Sequence, residues 1–294
     1  MTKAIRIERA GGPEVMNLVD VDLRPPRTGE VRVRHTAIGL NYIDTYHRSG
    51  LYPLSMPVGL GLEAAGVVEE LGQGVTTLKV GDRIAYGNGP IGAYAGARNI
   101  QAAKIIKIPD SISDETAAGM MLKGMTVRYL LRATYKVKQG ETILLHAAAG
   151  GIGLIASQWA KALGVTVIGT VGSESKMAMA KSHGCAHVIN SSTEDVVARV
   201  KEITGGKGCD VVYDSIGKDT FPGSLDCLKP KGLWASFGNA SGPVPPFELT
   251  ALKGSLFATR PSLFAYTADR ADLLANASEL FEMVGSGKVK IAVN

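Results

Sequence analysis

Between Glu30 and Leu40 apolar and polar residues alternate: Val31, Val33 and Ala37 stand against Arg32, Arg34 and Thr36. That two-residue period belongs to a strand with one face buried. Short apolar segments follow, "AGVVEEL", "DRIAY" and "AKIIKIP", separated by "LGQGV" and "YGNGP", whose Gly and Asn residues are turn formers. The first third of the chain therefore predicts a compact antiparallel β region, a barrel or a sandwich. At Ser113 the period changes. "SDET" offers capping residues and first-turn acids, and "AAGMMLKGMTVRYLLRATY" spaces its apolar residues as a helix does. Strands and helices then alternate: "TILLHAA" and a helix from Gly151, "VTVIGTV" and a helix from Glu174, "HVIN" and a helix from Glu194, "CDVVYDSIG" and a helix from Asp219, and "GLWASFG". Such a series implies a parallel sheet covered on both faces, the doubly wound nucleotide-binding pattern. The end, "DRADLLANASELFEMVGSGKVKIAVN", predicts a helix and the beginning of a strand.

Composition narrows this picture. The 294 residues, 45% hydrophobic and 20% charged, suit one large or two ordinary globular domains rather than a disordered chain. A formal charge of +5 is spread along the chain without runs, which reads as a mildly basic solvated surface and not as a nucleic-acid platform. Three cysteines, Cys185, Cys209 and Cys227, form no C-x-x-C pair, so neither a disulfide framework nor a cysteine-rich metal site is expected, and a reducing cytoplasm fits. The start, "MTKAIRIERAGG", reads as a strand into a Gly turn rather than a signal peptide. No segment approaches the roughly 18 apolar residues of a membrane span.

The segment "HAAAGGIGLIASQWAK", His146 to Lys161, gathers alanines and glycines between a strand and a helix. In a dinucleotide fold this is where the pyrophosphate meets the helix N-terminus. Read as G-x-G-x-x-G, the positions are Ala148, Gly150 and Gly153. Gly150 lets the backbone approach the phosphates and Gly153 lets the helix pack closely on the strand. Ala148 departs from the pattern, and is tolerated if its position needs no positive φ. An NAD site offers an acid about 20 residues on, at the end of the second strand. Here Val171, Gly172 and Ser173 stand there, with Lys176 shortly after. An uncharged strand end with hydroxyl and ammonium donors suits a 2′-phosphate, hence NADPH. Glu174 is the complication: its carboxylate either binds the 2′-hydroxyl or, the preferred reading, is a first-turn helix acid stabilised by the dipole.

"GETILLHAAAGGIGLIASQWAK" resembles the signature segment of the zeta-crystallin-like NADPH:quinone oxidoreductases in the medium-chain dehydrogenase/reductase superfamily. The resemblance runs on through "GGPEV", "GLNYIDTYHRSGLYP", "GLEAAGVV", "LKGMTVRYLL", "ITGGKG", "SFGNASG" and "TRPSL". It implies an α/β chain with a β-rich GroES-like catalytic domain (1–124 and 264–294), a Rossmann doubly wound parallel-sheet domain binding NADPH (125–263), and an active-site cleft between them. Zinc-dependent relatives in the superfamily carry G-H-E; the corresponding residues here are Gly61, Leu62 and Glu63, and leucine cannot bind zinc. The structural-zinc lobe needs four close cysteines, and "GNGPIGAYAGARN" has none. No metal is expected.

Carried over by position, the resemblance puts Asn41, Tyr42 and Ile43 beside the nicotinamide, Tyr46 and Tyr52 in the substrate cleft, and Tyr129 near the cofactor. It puts Gly150, Gly151, Ile152 and Gly153 at the pyrophosphate and Gly172, Ser173 and Lys176 at the adenosine 2′-phosphate. Phe237, Gly238 and Asn239, with Pro261, Ser262 and Leu263, complete the nicotinamide side. Two departures stand out. Relatives often place Tyr after "VIN", where this chain has Ser191, and they continue past "VKIAVN" to a helix, a closing strand and an Arg at the cofactor, so the chain is either truncated or lacks that contact. Of the remaining polar residues, Asp44 is expected to cap the helix after Leu40 in preference to orienting Tyr42, His47 to lie on the surface, and His146 to be a satisfied core histidine.

The chemistry implied is hydride transfer to a quinone, with Asn41, Tyr46 and Tyr52 as hydrogen-bond donors to the developing oxyanion. An NADPH-dependent enone or alkenal reductase, and an NADPH-binding nucleic-acid-binding or structural protein, are the alternatives. "GSLFATR", from Gly254, predicts a late strand at the sheet edge. Relatives dimerise across this edge, which implies a homodimer.

Overall fold

The computed structural model describes residues 1–293, so that Asn294, the last residue of the expected catalytic domain, lies outside the described residues. The chain divides into two compact units: Met1–Met125 with Tyr266–Gly285 and the segment from Ile291, and Thr126–Ala265 with Ser286–Lys290.

The first unit is built on antiparallel strands. β1 (Thr2–Ile7), β2 (Asn17–Val21) and β4 (Val58–Gly59) form a three-stranded sheet in the order β2-β1-β4. β3 (Glu30–Gly39), β5 (Glu63–Leu71), β6 (Arg83–Tyr86), β7 (Ala97–Gln101) and β8 (Ile106–Lys107) form a five-stranded sheet in the order β7-β3-β5-β6-β8. The alternation in β3 has the expected result: Val31 and Val33 are buried with Val68, Ile84, Tyr86 and Ile100, while Arg34 and Thr36 face outward. Each fully buried aliphatic side chain contributes about 1.5–3 kcal/mol. α1 (Tyr42–Ser49) follows β3, and α2 (Asp114–Tyr129) follows β8. The Ser113 hydroxyl accepts from the Thr116 amide at 3.2 Å, the expected cap. The division between units falls within α2, which continues into a π-turn over Leu130–Thr134.

The second unit holds six parallel strands: β9 (Thr142–Leu145), β10 (Thr166–Val171), β11 (His187–Asn190), β12 (Cys209–Asp214), β13 (Leu228–Ser236) and β14 (Phe257–Thr259), in the order β11-β10-β9-β12-β13-β14. The crossovers carry α3 (Gly151–Ala162), α4 (Met177–Ser182), α5 (Val196–Ile203) and α6 (Gly223–Asp226). α3 turns Ile155, Ala156, Trp159 and Ala160 inward, the helical period made physical. Leu144, Ile168, Ile189, Val212 and Trp234 form a core with residues of α5 and α6. β14 is an edge strand pairing only with β13, and Phe257 is 61% exposed. Two further helices, α7 (Leu263–Tyr266) and α8 (Arg270–Gly285), come last.

Some boundaries differ from expectation. The helix from Glu174 begins as a 3-10 turn over Glu174–Lys176 before α4, and Asp195 caps α5 so that helix begins at Val196 instead of Glu194. The helix from Asp219 is reduced to a 3-10 turn and the single turn α6, because Pro222 and Gly223 interrupt it. Residues 288–293 form no strand. Among the described residues no helix is long and apolar enough to cross a membrane.

Candidate functional site

In the second unit β9 ends at Leu145 and α3 starts at Gly151. The turn between them is held from two sides: the His146 amide donates to the Tyr213 carbonyl at 3.1 Å and the Ala148 amide to the Thr170 carbonyl at 2.8 Å. The left-handed residue of the turn is Ala147, with φ 54°, and not Ala148. Alanine at the first fingerprint position is therefore unstrained. Gly153 is required by space, since a Cβ there would lie 2.6 Å from the backbone C and Cα of Ala148. Gly150 stands at the N-cap with no side-chain cap, and Gly150 and Gly151 are exposed. The first amides of a helix have no intrahelical acceptor. This bare, positively polarised N-terminus is a cradle for phosphate oxygens, so Gly150, Gly151, Ile152 and Gly153 fit a dinucleotide's pyrophosphate.

The end of β10, where a dinucleotide fold meets the adenosine ribose, is also open. Val171 is buried at the end of β10, and its carbonyl accepts from both the amide and the hydroxyl of Ser191, at 2.9 and 3.1 Å. A Cβ on Gly172 would meet nothing within 4 Å. Ser173 follows, its hydroxyl 3.0 Å from that of Ser175, and Lys176 is exposed. The strand end itself carries no acid, and the turn after it holds exposed Glu174 alongside Ser175 and Lys176.

Behind the turn lies a network that sequence reasoning saw only as one histidine. His146 is buried, with Nδ1 and Nε2 each 3.1 Å from the hydroxyls of Thr170 and Ser224. The Ser224 hydroxyl donates to Asp214 at 2.9 Å, so it accepts from an Nε2–H tautomer, and Thr170 donates to Nδ1. Asp214 also accepts from Ile216 and Gly217 amides, the Thr220 hydroxyl and Trp234 Nε1. Burial opposes its ionisation, but the bonds from the Thr220 hydroxyl and the Gly217 and Ile216 amides hold its carboxyl below the usual carboxylate range. Burial pushes His146 down, toward the neutral ring the network requires. Tyr129 is buried, Phe237 and Asn239 are half-buried, and Gly238 packs against Ser215, where a Cβ would lie 2.8 Å from the Ser215 Cα. Arg260 holds the Ser236 and Gly238 carbonyls at 2.9 and 3.2 Å, just before buried Pro261, exposed Ser262 and buried Leu263.

In the first unit Asn41, Tyr42, Ile43, Tyr46 and Tyr52 come together around α1. Asn41 is its N-cap residue, and Asp44 Oδ2 accepts from the Asn41 amide at 2.9 Å and from the Tyr94 hydroxyl at 2.6 Å. The cap residue is thus Asn41 and not Asp44, which closes a capping box from the N3 position and is turned to Tyr94, not to Tyr42. Burial raises its pKa, against those two bonds. The three tyrosines pack ring against ring, Tyr42 edge to face with Tyr46 at 5.4 Å and Tyr46 tilted against Tyr52 at 5.0 Å between ring centres. Tyr42 is exposed, Ile43 and Tyr52 half-buried, and Tyr46 buried. The expectation of a surface His47 is wrong: the ring is 8% exposed and meets Tyr52 at 6.0 Å, because α1 turns this residue with Tyr46 toward the interior. Burial lowers its pKa.

Sequence reasoning missed two members of this cluster, Glu63 and Lys123. Glu63 is fully buried, with Oε2 accepting from Asn41 Nδ2 at 2.7 Å and from Lys123 Nζ at 3.4 Å. Burial raises its pKa, opposed first by Lys123. A carboxylate inside the apolar run "GLEAAGVV" and a lysine inside "MMLKGM" were the available signals. Leu62, beside Glu63, is buried and apolar, and among the described residues no group of three or more His, Cys, Asp or Glu side chains is gathered as a metal site would need.

Residues 27–110 match the alcohol dehydrogenase GroES-like domain, and residues 151–279 the domain described as zinc-binding dehydrogenase. A GroES-like part followed by a nucleotide fold is the architecture of the medium-chain dehydrogenase/reductases. The chain is 54% identical to a quinone oxidoreductase of Pseudomonas aeruginosa, over all of this chain and 91% of that one. It is 48% identical to a 2-haloacrylate reductase of a Burkholderia species, over all of this chain and 91% of that one. The structure of Escherichia coli quinone oxidoreductase complexed with NADPH superposes with a TM-score of 0.98 at 51% identity, covering 99% of this chain and 90% of that one. The chain belongs to the quinone oxidoreductase family.

Proposed function

We propose that the chain reduces quinones to hydroquinones with NADPH, without a metal. The observation that carries the cofactor half is the turn before α3, where Gly153 leaves no room for a side chain and the helix amides stand bare. Gly150, Gly151, Ile152 and Gly153 hold the pyrophosphate, and Gly172, Ser173 and Lys176 the 2′-phosphate. Phe237, Gly238, Asn239, Pro261, Ser262 and Leu263, with Asn41, Tyr42 and Ile43, line the nicotinamide, and Tyr129 lies near the cofactor. When bound, NADPH supplies a hydride from its nicotinamide ring. Reduction of a quinone to the hydroquinone then needs one hydride and one proton, the hydride adding two electrons and leaving an oxyanion. Asn41, Tyr46 and Tyr52 donate hydrogen bonds to that oxygen, which stabilises it without a fixed charge; solvent or a tyrosine hydroxyl provides the proton. Leu62 leaves no zinc ligand at the position where zinc-dependent relatives carry His.

The domain roles go with this reading: 1–124 and 264–294 catalytic, 125–263 binding NADPH, which the division after Met125 and Ala265 supports. Exposed edge strand β14 supports a two-fold homodimer formed by sheet continuation. Three buried free cysteines support a cytoplasmic protein. Similarity to a 2-haloacrylate reductase supports a second reading, reduction of an activated carbon–carbon double bond on the same site. Steady-state NADPH oxidation with 1,4-benzoquinone, 9,10-phenanthrenequinone and 2-hexenal tests the choice. Higher kcat/KM for the quinones is expected, and a preference for 2-hexenal would install the second reading.

A further inference from the structure

Asn41, Glu63 and Lys123 form a closed ring of hydrogen bonds within the first unit. Glu63 Oε1 accepts from the Leu122 amide at 2.8 Å, and Oε2 from Asn41 Nδ2 at 2.7 Å and Lys123 Nζ at 3.4 Å. The Lys123 ammonium completes the ring by donating to Asn41 Oδ1 at 3.1 Å and also reaches the Leu40 carbonyl at 3.3 Å. Backbone from three segments is built to allow it: a Cβ on Gly39 would lie 2.7 Å from Glu63 Cδ. A buried ion pair is costly to assemble and is weak evidence of stabilisation. Its value here lies in direction.

Each end of the Asn41 amide faces a charge of the opposite polarity, oxygen to ammonium and NH2 to carboxylate. Rotating the amide by half a turn would set NH2 against ammonium and oxygen against carboxylate, replacing two charge-assisted bonds, each about twice as strong as a neutral one, with two repulsions. One of the two Nδ2 hydrogens is spent on Glu63, and the planar amide fixes where the other points.

We propose that Lys123 and Glu63 are positioning residues that lock the Asn41 amide so that its second N–H is presented to the oxygen of the substrate. The proposal rests on the reading of Asn41 as an oxyanion donor. A hydrogen-bond donor aimed in advance helps the transition state more than the ground state, so loss of the lock falls on kcat rather than on substrate or cofactor binding.

The experiment is a double-mutant cycle on the full chain, read as kcat and KM with 1,4-benzoquinone and as NADPH Kd. Lys123→Met is expected to lower kcat at least tenfold with KM and NADPH Kd within twofold, and Lys123→Arg to restore most of it. In an Asn41→Ala background, Lys123→Met is expected to cost nothing further in kcat. Should Lys123→Met fold poorly by circular dichroism, Lys123→Met with Glu63→Gln removes both charges and is expected to show the same kcat loss and the same silence in the Asn41→Ala background. Wild-type kcat in Lys123→Met, or an equal loss with and without Asn41, overturns the lock while leaving Asn41 as donor. Wild-type kcat in Asn41→Ala itself overturns both the lock and the donor role.

Discussion

Gly153→Ala adds one methyl group at the place where α3 meets the turn after β9. Built on the present backbone, the new Cβ lies 2.6 Å from the Ala148 C and Cα, about 0.8 Å inside the 3.4 Å at which ordinary contact begins. Both obstacles are main chain, so no side-chain rotation relieves them; either α3 or the 146–150 turn must move. Overpacking of this kind costs about 1–3 kcal/mol, against about 1 kcal/mol gained when Ala replaces Gly inside a helix. The net is a loss of up to about 2 kcal/mol, or a fall in Tm of several degrees for a domain of this size. Either movement also shifts the first amides of α3, which are proposed to hold the pyrophosphate, so NADPH affinity should fall at least tenfold, about 1.4 kcal/mol. Gly172→Ala is the control for the fold, since its Cβ meets nothing within 4 Å, and its Tm without cofactor should match wild type. Thermal melts with and without NADPH, and NADPH titration by fluorescence, read both quantities. Gly153→Ala with wild-type Tm and wild-type NADPH affinity would refute the argument from close approach.

Lys176→Ala should raise KM for NADPH with little change for NADH, consistent with about 1–2 kcal/mol from a charged contact, whereas equal weakening for both would remove Lys176 from the 2′-phosphate. His35 Nδ1 lies 2.6 Å from the Ala95 carbonyl and Nε2 2.9 Å from the Tyr86 hydroxyl, and burial lowers its pKa from 6.5 to about 4. Between those values the unfolded chain binds a proton that the folded ring does not, so stability falls on acidification from pH 6.5 toward 4, by at most about 3 kcal/mol. Denaturant midpoints should therefore drop more steeply over that window for wild type than for His35→Gln, and parallel curves would show that His35 does not titrate as described. Light scattering at micromolar concentration should give a dimer, and Phe257→Pro, which removes a ladder donor from β14, should weaken it; a folded, fully dimeric variant would move the interface elsewhere.

What was legible in the sequence was what is local. The strand-to-helix turn at Ala147–Gly153 announces itself within one short segment, and the βα alternation from Thr142 to Ser236 needs only the change of period to be seen. The ring around Asn41 was not legible, because its partners lie 22 and 82 residues away in sequence and only the sheet and α2 bring them together. His47 misled for a related reason: "DTYHRSG" is polar throughout, and in a helix of two turns the buried face is chosen by tertiary packing rather than by periodicity. "KVKIAV" has the composition of a strand, yet 288–293 do not form one, since a strand exists only through a partner's ladder.

The central claim, that the chain passes a hydride from NADPH to a quinone, is tested most directly by a single turnover with NADPH carrying deuterium at the transferred C4 position and 1,4-benzoquinone as acceptor. The expected result is a primary isotope effect on NADPH oxidation with one hydroquinone formed per NADPH consumed. Absence of NADPH oxidation, or oxidation without an isotope effect accompanied by a semiquinone signal, would contradict it.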